Sequence, residues 1–103
     1  MKNMNDLLRQ AQVMQNKIAK LQQEMAEKEV EASAGGGMVK ATATGEMAIT
    51  DITIDPAAVD PEDVEMLQDM VVAAVNEALR AASEAANARM NAVMGGMKIP
   101  GLV

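Results

Sequence analysis

Apolar side chains recur along this chain with two different periods, and the switches between them divide it into three parts. From Met4 onward, Met4, Leu7, Ala11, Met14, Ile18, Leu21 and Met25 fall at alternating spacings of three and four. That is an a/d heptad seam, and a 3.5-residue apolar repeat predicts a helix packed on another helix rather than on a sheet. The seam stops at Lys28, which would take the next d position. Leu8 and Val13 lie off it and can touch a second surface. Lys2, Arg9, Asn16 and Gln23 share the outermost f position and form a donor-rich stripe. At 1.5 Å per residue such a helix is roughly 35 Å long, more than a small sheet can cover. Part of it must protrude or pair with another chain.

Between Glu29 and Asp55 the period becomes two, the signature of half-buried strands. Val30, Ala32 and Ala34 alternate with Glu29, Glu31 and Ser33, and Val39, Ala41 and Ala43 alternate with Lys40, Thr42 and Thr44. Gly35-Gly36-Gly37 separates the two runs and suits a tight hairpin, since residues without Cβ enter φ > 0 cheaply. After Gly45-Glu46, Met47 and Ile49 share one parity while Ile52 and Ile54 share the other. A bulge near Thr50-Asp51 accounts for that change of phase. The expectation is an α+β fold: a long N-terminal helix, a three-stranded antiparallel meander with one apolar face, and a long C-terminal helix that covers it.

The second helix is predicted from Asp60-Pro61-Glu62-Asp63, with Asp60 as N-cap, Pro61 at the first helical position and acids in the first turn. Val64, Leu67, Val71, Val75, Ala78, Ala82 and Ala85 then follow helical spacing. The run MVVAAV, residues 70–75, is apolar nearly all round and is expected to be the most buried turn. Gly95-Gly96 ends the helix, leaving residues 95–103 as a flexible tail on a single domain spanning 1–103.

Composition limits what fills the core. The 103 residues include 11 Met and no aromatic side chain, so Met and Ala do the packing. The start of the chain has no apolar signal-peptide core, and the longest strongly apolar run is too short to span a bilayer, so a soluble cytoplasmic protein is expected. The net charge of −6 is unevenly spread: residues 1–28 are net +2, residues 29–70 net −9 and residues 71–103 net +1. Acidity is thus confined to the predicted sheet and the start of the second helix. A solvated surface with scattered charges accounts for this as well as a basic-ended binding protein does.

Catalytic reagents are scarce. The chain has no His, Cys or Tyr, hence no imidazole base, no thiolate, no phenol and none of the usual zinc ligands. Glu62, Asp63 and Glu65 read as dipole-compensating acids at a helix start rather than as a metal or acid/base group. The triple glycine lacks the Lys-Ser/Thr and helix that a phosphate-cradling loop requires. No enzyme, cofactor, metal or small-molecule substrate is expected.

The runs GGGMVKATATGE (35–46) and DPEDVEMLQDMVVAAVNEA (60–78), with a late Gly-Met-Lys-x-Pro-Gly tail, are together distinctive. The chain resembles the YbaB/EbfC family of bacterial nucleoid-associated proteins over nearly its whole length. The resemblance implies a homodimer with paired sheets in the middle and helices projecting as arms. It also implies binding to double-stranded DNA, a place on the nucleoid and an influence on transcription. Lys28 falls at a helix-strand junction and Lys40 among acids, which leaves Lys2, Arg9, Lys17, Lys20, Arg80, Arg89 and Lys98 as candidate phosphate contacts. Arg9, Lys20, Arg80 and Arg89 are favoured among them. Without aromatic side chains to stack on unpaired bases, duplex is expected over single strands. The alternative from another class is an acidic dimeric adaptor that binds protein partners through its Met-rich helices.

Overall fold

The structure, a computed structural model, describes residues 3–95. Along the chain come α1 (Met4–Glu27), β1 (Glu29–Ala34), β2 (Val39–Thr44), β3 (Ile49–Ile54), a 3-10 turn at Pro56–Ala58 and α2 (Val64–Gly95). The strands form an antiparallel meander in the order β1-β2-β3. This is the α+β architecture expected from the two apolar periods.

Alternation along β2 places Val39, Ala41 and Ala43 in the core while Lys40 stays exposed. Opposite them stand Ala34, Ala32 and Val30 of β1, and Ile54, Ile52 and Ile49 of β3. The register steps between Thr42↔Asp51 and Ala43↔Ile49, so Thr50 is the extra residue of a bulge. That bulge restores Ile52 and Ile54 to the side that Ile49 occupies, as the parity change required. Gly35, Gly36 and Gly37 all have positive φ, which is what turns β1 into β2. Met47 was expected to open the third strand. It instead sits in the β2–β3 turn with φ 65°, and its amide donates to the Thr44 carbonyl at 2.9 Å.

Helix α2 packs over β1 and β2. Its fully buried residues are Ala74, Ala78 and Ala82, one helical turn apart, facing the small side chains of β2. Alanine on alanine lets the helix approach the sheet closely, but each methyl contributes only about 0.8 kcal/mol of transfer free energy. Among the described residues Val39 is the one large side chain buried completely. The turn expected to be deepest is not: Met70, Val71 and Val75 are half-buried, Ala73 is exposed and Val72 is 57% exposed. A single sheet face offers cover to one stripe of a helix, and 70–75 carries apolar groups on more than one. α2 packs chiefly on β1 and β2, and of β3 only Ile49 packs against the core, while Ile52 and Ile54 remain 41% and 38% exposed.

The start of α2 also differs from expectation. Asp60 caps a separate turn, accepting from the Glu62 amide at 2.9 Å, whereas the Asp63 carboxylate accepts from the Met66 amide at 3.2 Å. Both aspartates can cap; the chain uses the second, and the helix begins at Val64 rather than Pro61. At its far end Gly95 still belongs to α2, and the predicted tail from residue 96 lies outside the described residues.

Asn3 caps α1 by accepting from the Asp6 amide at 3.0 Å. The heptad seam meets another helix only at its C-terminal end, where Leu21 is buried and Ile18 and Met25 are half-buried. Met14 is half-buried, Ala11 is exposed, and Met4 and Leu7 are 70% and 53% exposed. Within one chain, then, the seam is helix-on-helix for about its last two turns and mostly exposed before that. The molecule accordingly measures 75 × 24 × 15 Å with a radius of gyration of 20.3 Å, against about 13 Å for a compact chain of this length.

Candidate nucleic-acid interface

Where α1 passes the C-terminal part of α2, an open notch of about 380 Å³ is lined by Lys17, Lys20, Leu21, Glu24, Arg89 and Val93. On α1 the four contributors are spaced i, i+3, i+4 and i+7, which puts them on one helical face. Leu21 and Val93 supply the apolar floor, and the charged heads of the others reach out over it. Three of the seven cations singled out in the sequence are therefore brought together by two elements far apart in the chain. Arg9, also exposed, is eleven residues from Lys20 on α1. At 3.6 residues per turn the two stand within about 20° around the helix and roughly 16 Å apart, so cations line the arm from the notch outward.

Two arginines are already engaged. Arg89 donates from Nε to Glu24 Oε2 at 3.3 Å and from Nη2 to Glu24 Oε1 at 3.4 Å, joining α2 to α1. Arg80 is held more tightly, with Nε on Glu77 Oε2 at 3.0 Å and Nη1 on Glu84 Oε2 at 2.6 Å. The hydrogen bond from Arg80 holds the Glu77 carboxyl below its usual range, and the two carboxylates push the Arg80 guanidinium further toward its charged form. Arg80 is thus neutralised along its own helix. Arg9, Lys17 and Lys20 have no ion-pair partner among the described residues. Lys2 and Lys98 lie outside the described residues.

The opposite end of the sheet has the reverse sign. Near the Gly35 turn a shallow groove is lined by Asp63, Glu65 and Asp69 together with Met66 and Met70. The acids there repel phosphates. Among the described residues no cluster of three or more His, Cys, Asp or Glu could hold a metal ion, and no helix is long and apolar enough to cross a membrane.

Sequence reasoning passed over the three glutamates that occupy these arginines. Glu77 and Glu84 stand at i−3 and i+4 from Arg80, so the ordinary helix charge rule reveals them. Glu24 is 65 positions from Arg89, and no local pattern links the two.

A sequence profile described as the YbaB/EbfC DNA-binding family matches residues 1–97. A nucleoid-associated protein of Moorella thermoacetica is 54% identical, over 98% of this chain and 97% of its own. One from Acetivibrio thermocellus is 55% identical, over 97% of this chain and 89% of its own. The crystal structure of an uncharacterized Helicobacter pylori protein superposes with a TM-score of 0.70 at 22% identity, covering 95% of this chain and all of that one, a likeness of fold.

Proposed function

Because the chain belongs to the YbaB/EbfC DNA-binding family, we propose that it is a non-enzymatic protein that binds double-stranded DNA as a homodimer. On this reading it resides in the cytoplasm on the bacterial nucleoid, helps to organise it and influences transcription. It acts without cofactor or small-molecule substrate, as one domain spanning residues 1–103.

The observation that carries this proposal is the convergence of Lys17, Lys20 and Arg89 on one notch of a protruding arm, in a chain whose net charge is −6. Phosphate binding gains most of its free energy from cations that displace counterions, and a local cluster suffices for that even when the whole molecule is acidic. Dimerisation is supported by the uncovered apolar surface. Ile52 and Ile54 on β3, with Val64 and Val72 on α2, are exposed in one chain whose fully buried core is mainly alanine. A second copy that covers them supplies the burial the protomer lacks. Doubling also places two basic arms on one particle.

The test is a titration of two unrelated duplexes and one single strand at two salt concentrations. Binding to both duplexes that weakens with salt, and weaker binding to the single strand, is expected. Salt-insensitive binding, or none, points instead to the protein adaptor, for which exposed Met4, Leu7, Leu8 and Val13 on α1 are the supporting observation.

A further inference from the structure

We propose that Glu24 holds Arg89 in reserve for DNA: a backbone phosphate entering the α1–α2 notch replaces the Glu24 carboxylate as partner of the guanidinium. The inference rests on the duplex-binding reading above and adds to it a residue that sets affinity and salt response.

Among the described residues, Arg89–Glu24 is the one salt bridge that joins two different elements. Both side chains are about half exposed, so an incoming phosphate reaches them without opening the fold. Their contacts, 3.3 and 3.4 Å, are long beside the roughly 2.7–2.9 Å of a well-formed charge-assisted bond. The pair is loosely made, in contrast to Arg80, which two carboxylates grip from its own helix. Lys17 and Lys20 stand seven and four residues before Glu24 on the same helical face and line the same notch. An anion drawn in by the two lysines therefore arrives beside Glu24. Repulsion between carboxylate and phosphate opposes entry, so Glu24 holds affinity down, while the planar guanidinium meets a phosphate as well as it meets a carboxylate.

The exchange has a signature in salt dependence. A phosphate contact by an unpaired cation releases about 0.9 of a counterion from duplex DNA. When Arg89 leaves Glu24 for the phosphate, the freed carboxylate stays beside the DNA and offsets part of that release. In wild type the salt response of the Arg89 contact is thus reduced. Removing the charge at Glu24 exposes it.

The experiment measures duplex affinity against salt for wild type, Glu24→Gln, Arg89→Ala and the double variant, with helicity, thermal midpoint and oligomeric state recorded for each. Glu24→Ala serves as a second variant should the glutamine itself bond Arg89. Glu24→Gln is expected to bind roughly two- to fivefold more tightly at low salt, with a salt slope steeper by at most about one unit for each Arg89 that takes part. The gain should be absent when Arg89→Ala is present, so that the double variant binds no more tightly than Arg89→Ala alone. Unchanged affinity and slope in both Glu24 variants overturn the inference. So does weaker binding by folded Glu24 variants, which would make the pair a brace for the arm. Wild type that binds no duplex overturns the duplex-binding reading itself, and the inference falls with it.

Discussion

The amide of Gly45 donates a 3.1 Å hydrogen bond to the carbonyl of Met25, fastening the β2–β3 turn to the last turn of α1. The same carbonyl accepts from Lys28 at 3.3 Å, so one of the helix's terminal acceptors is satisfied twice where the arm leaves the sheet. A Cβ at Gly45 would overlap the Met25 carbonyl group, and a backbone group cannot swing aside as a flexible side chain can. Gly45→Ala should therefore cost about 1–3 kcal/mol of stability, read by urea denaturation. Gly95→Ala, where a Cβ meets nothing, should be neutral or slightly stabilising by the same measurement.

The alanine stripe of α2 sets the distance between helix and sheet. Ala78 has no exposed surface, and Val39, Ala41 and Ala43 belong to the same buried cluster. Ala78→Leu should force the layers apart and lower stability by about 1–3 kcal/mol. Ala73→Leu, on the exposed side of the same helix, should change it by less than about 0.5 kcal/mol. Thermal unfolding of the two variants distinguishes a tightly packed interface from a loose one, which would tolerate both.

Uncovered β3 makes a separate prediction. With Ile52 and Ile54 exposed beside a core made chiefly of alanine, the protein should sediment as a dimer at micromolar concentration. Ile52→Lys/Ile54→Lys should shift it toward monomer and lower its thermal midpoint, because the partner's cover is lost. A stable wild-type monomer at that concentration would remove β3 from any interface.

The arm depends on the buried end of its seam. Leu21→Asp replaces the one buried side chain of α1 with a carboxylate and removes its apolar contact with α2. Helicity should fall, or α1 should detach from α2. Leu7→Asp, at a 53% exposed position, should leave the protomer's helicity intact. Circular dichroism separates these two outcomes.

Much of this architecture was legible in the sequence because it is local. The parity change between Ile49 and Ile52 located the bulge, and the triple glycine located the first hairpin. Reading Asp60 as the cap of the helix was wrong, since Asp60 and Asp63 each satisfy a turn and only packing of the following residues decides which one starts the helix. The heptad seam correctly marked an apolar stripe, yet it could not say that α2 meets only the end near Leu21. Burial of residues 70–75 was overestimated because apolarity all round a helix states a need for cover, not that one chain supplies it. The candidate site was legible as a set of cations and illegible as an arrangement. Glu24 and Arg89 meet only after folding, whereas the carboxylates around Arg80 stood in plain helical spacing.

On the proposed function, the α1 arm rather than Arg80 carries DNA. Affinity for an unrelated duplex should be measured across salt for wild type, Lys17→Ala/Lys20→Ala and Arg80→Ala, with dimerisation and folding checked in each. The lysine variant should bind more weakly at low salt, with a slope shallower by about one unit per lost phosphate contact, while Arg80→Ala keeps the wild-type slope. A lysine variant that matches wild type in both affinity and slope would contradict the account.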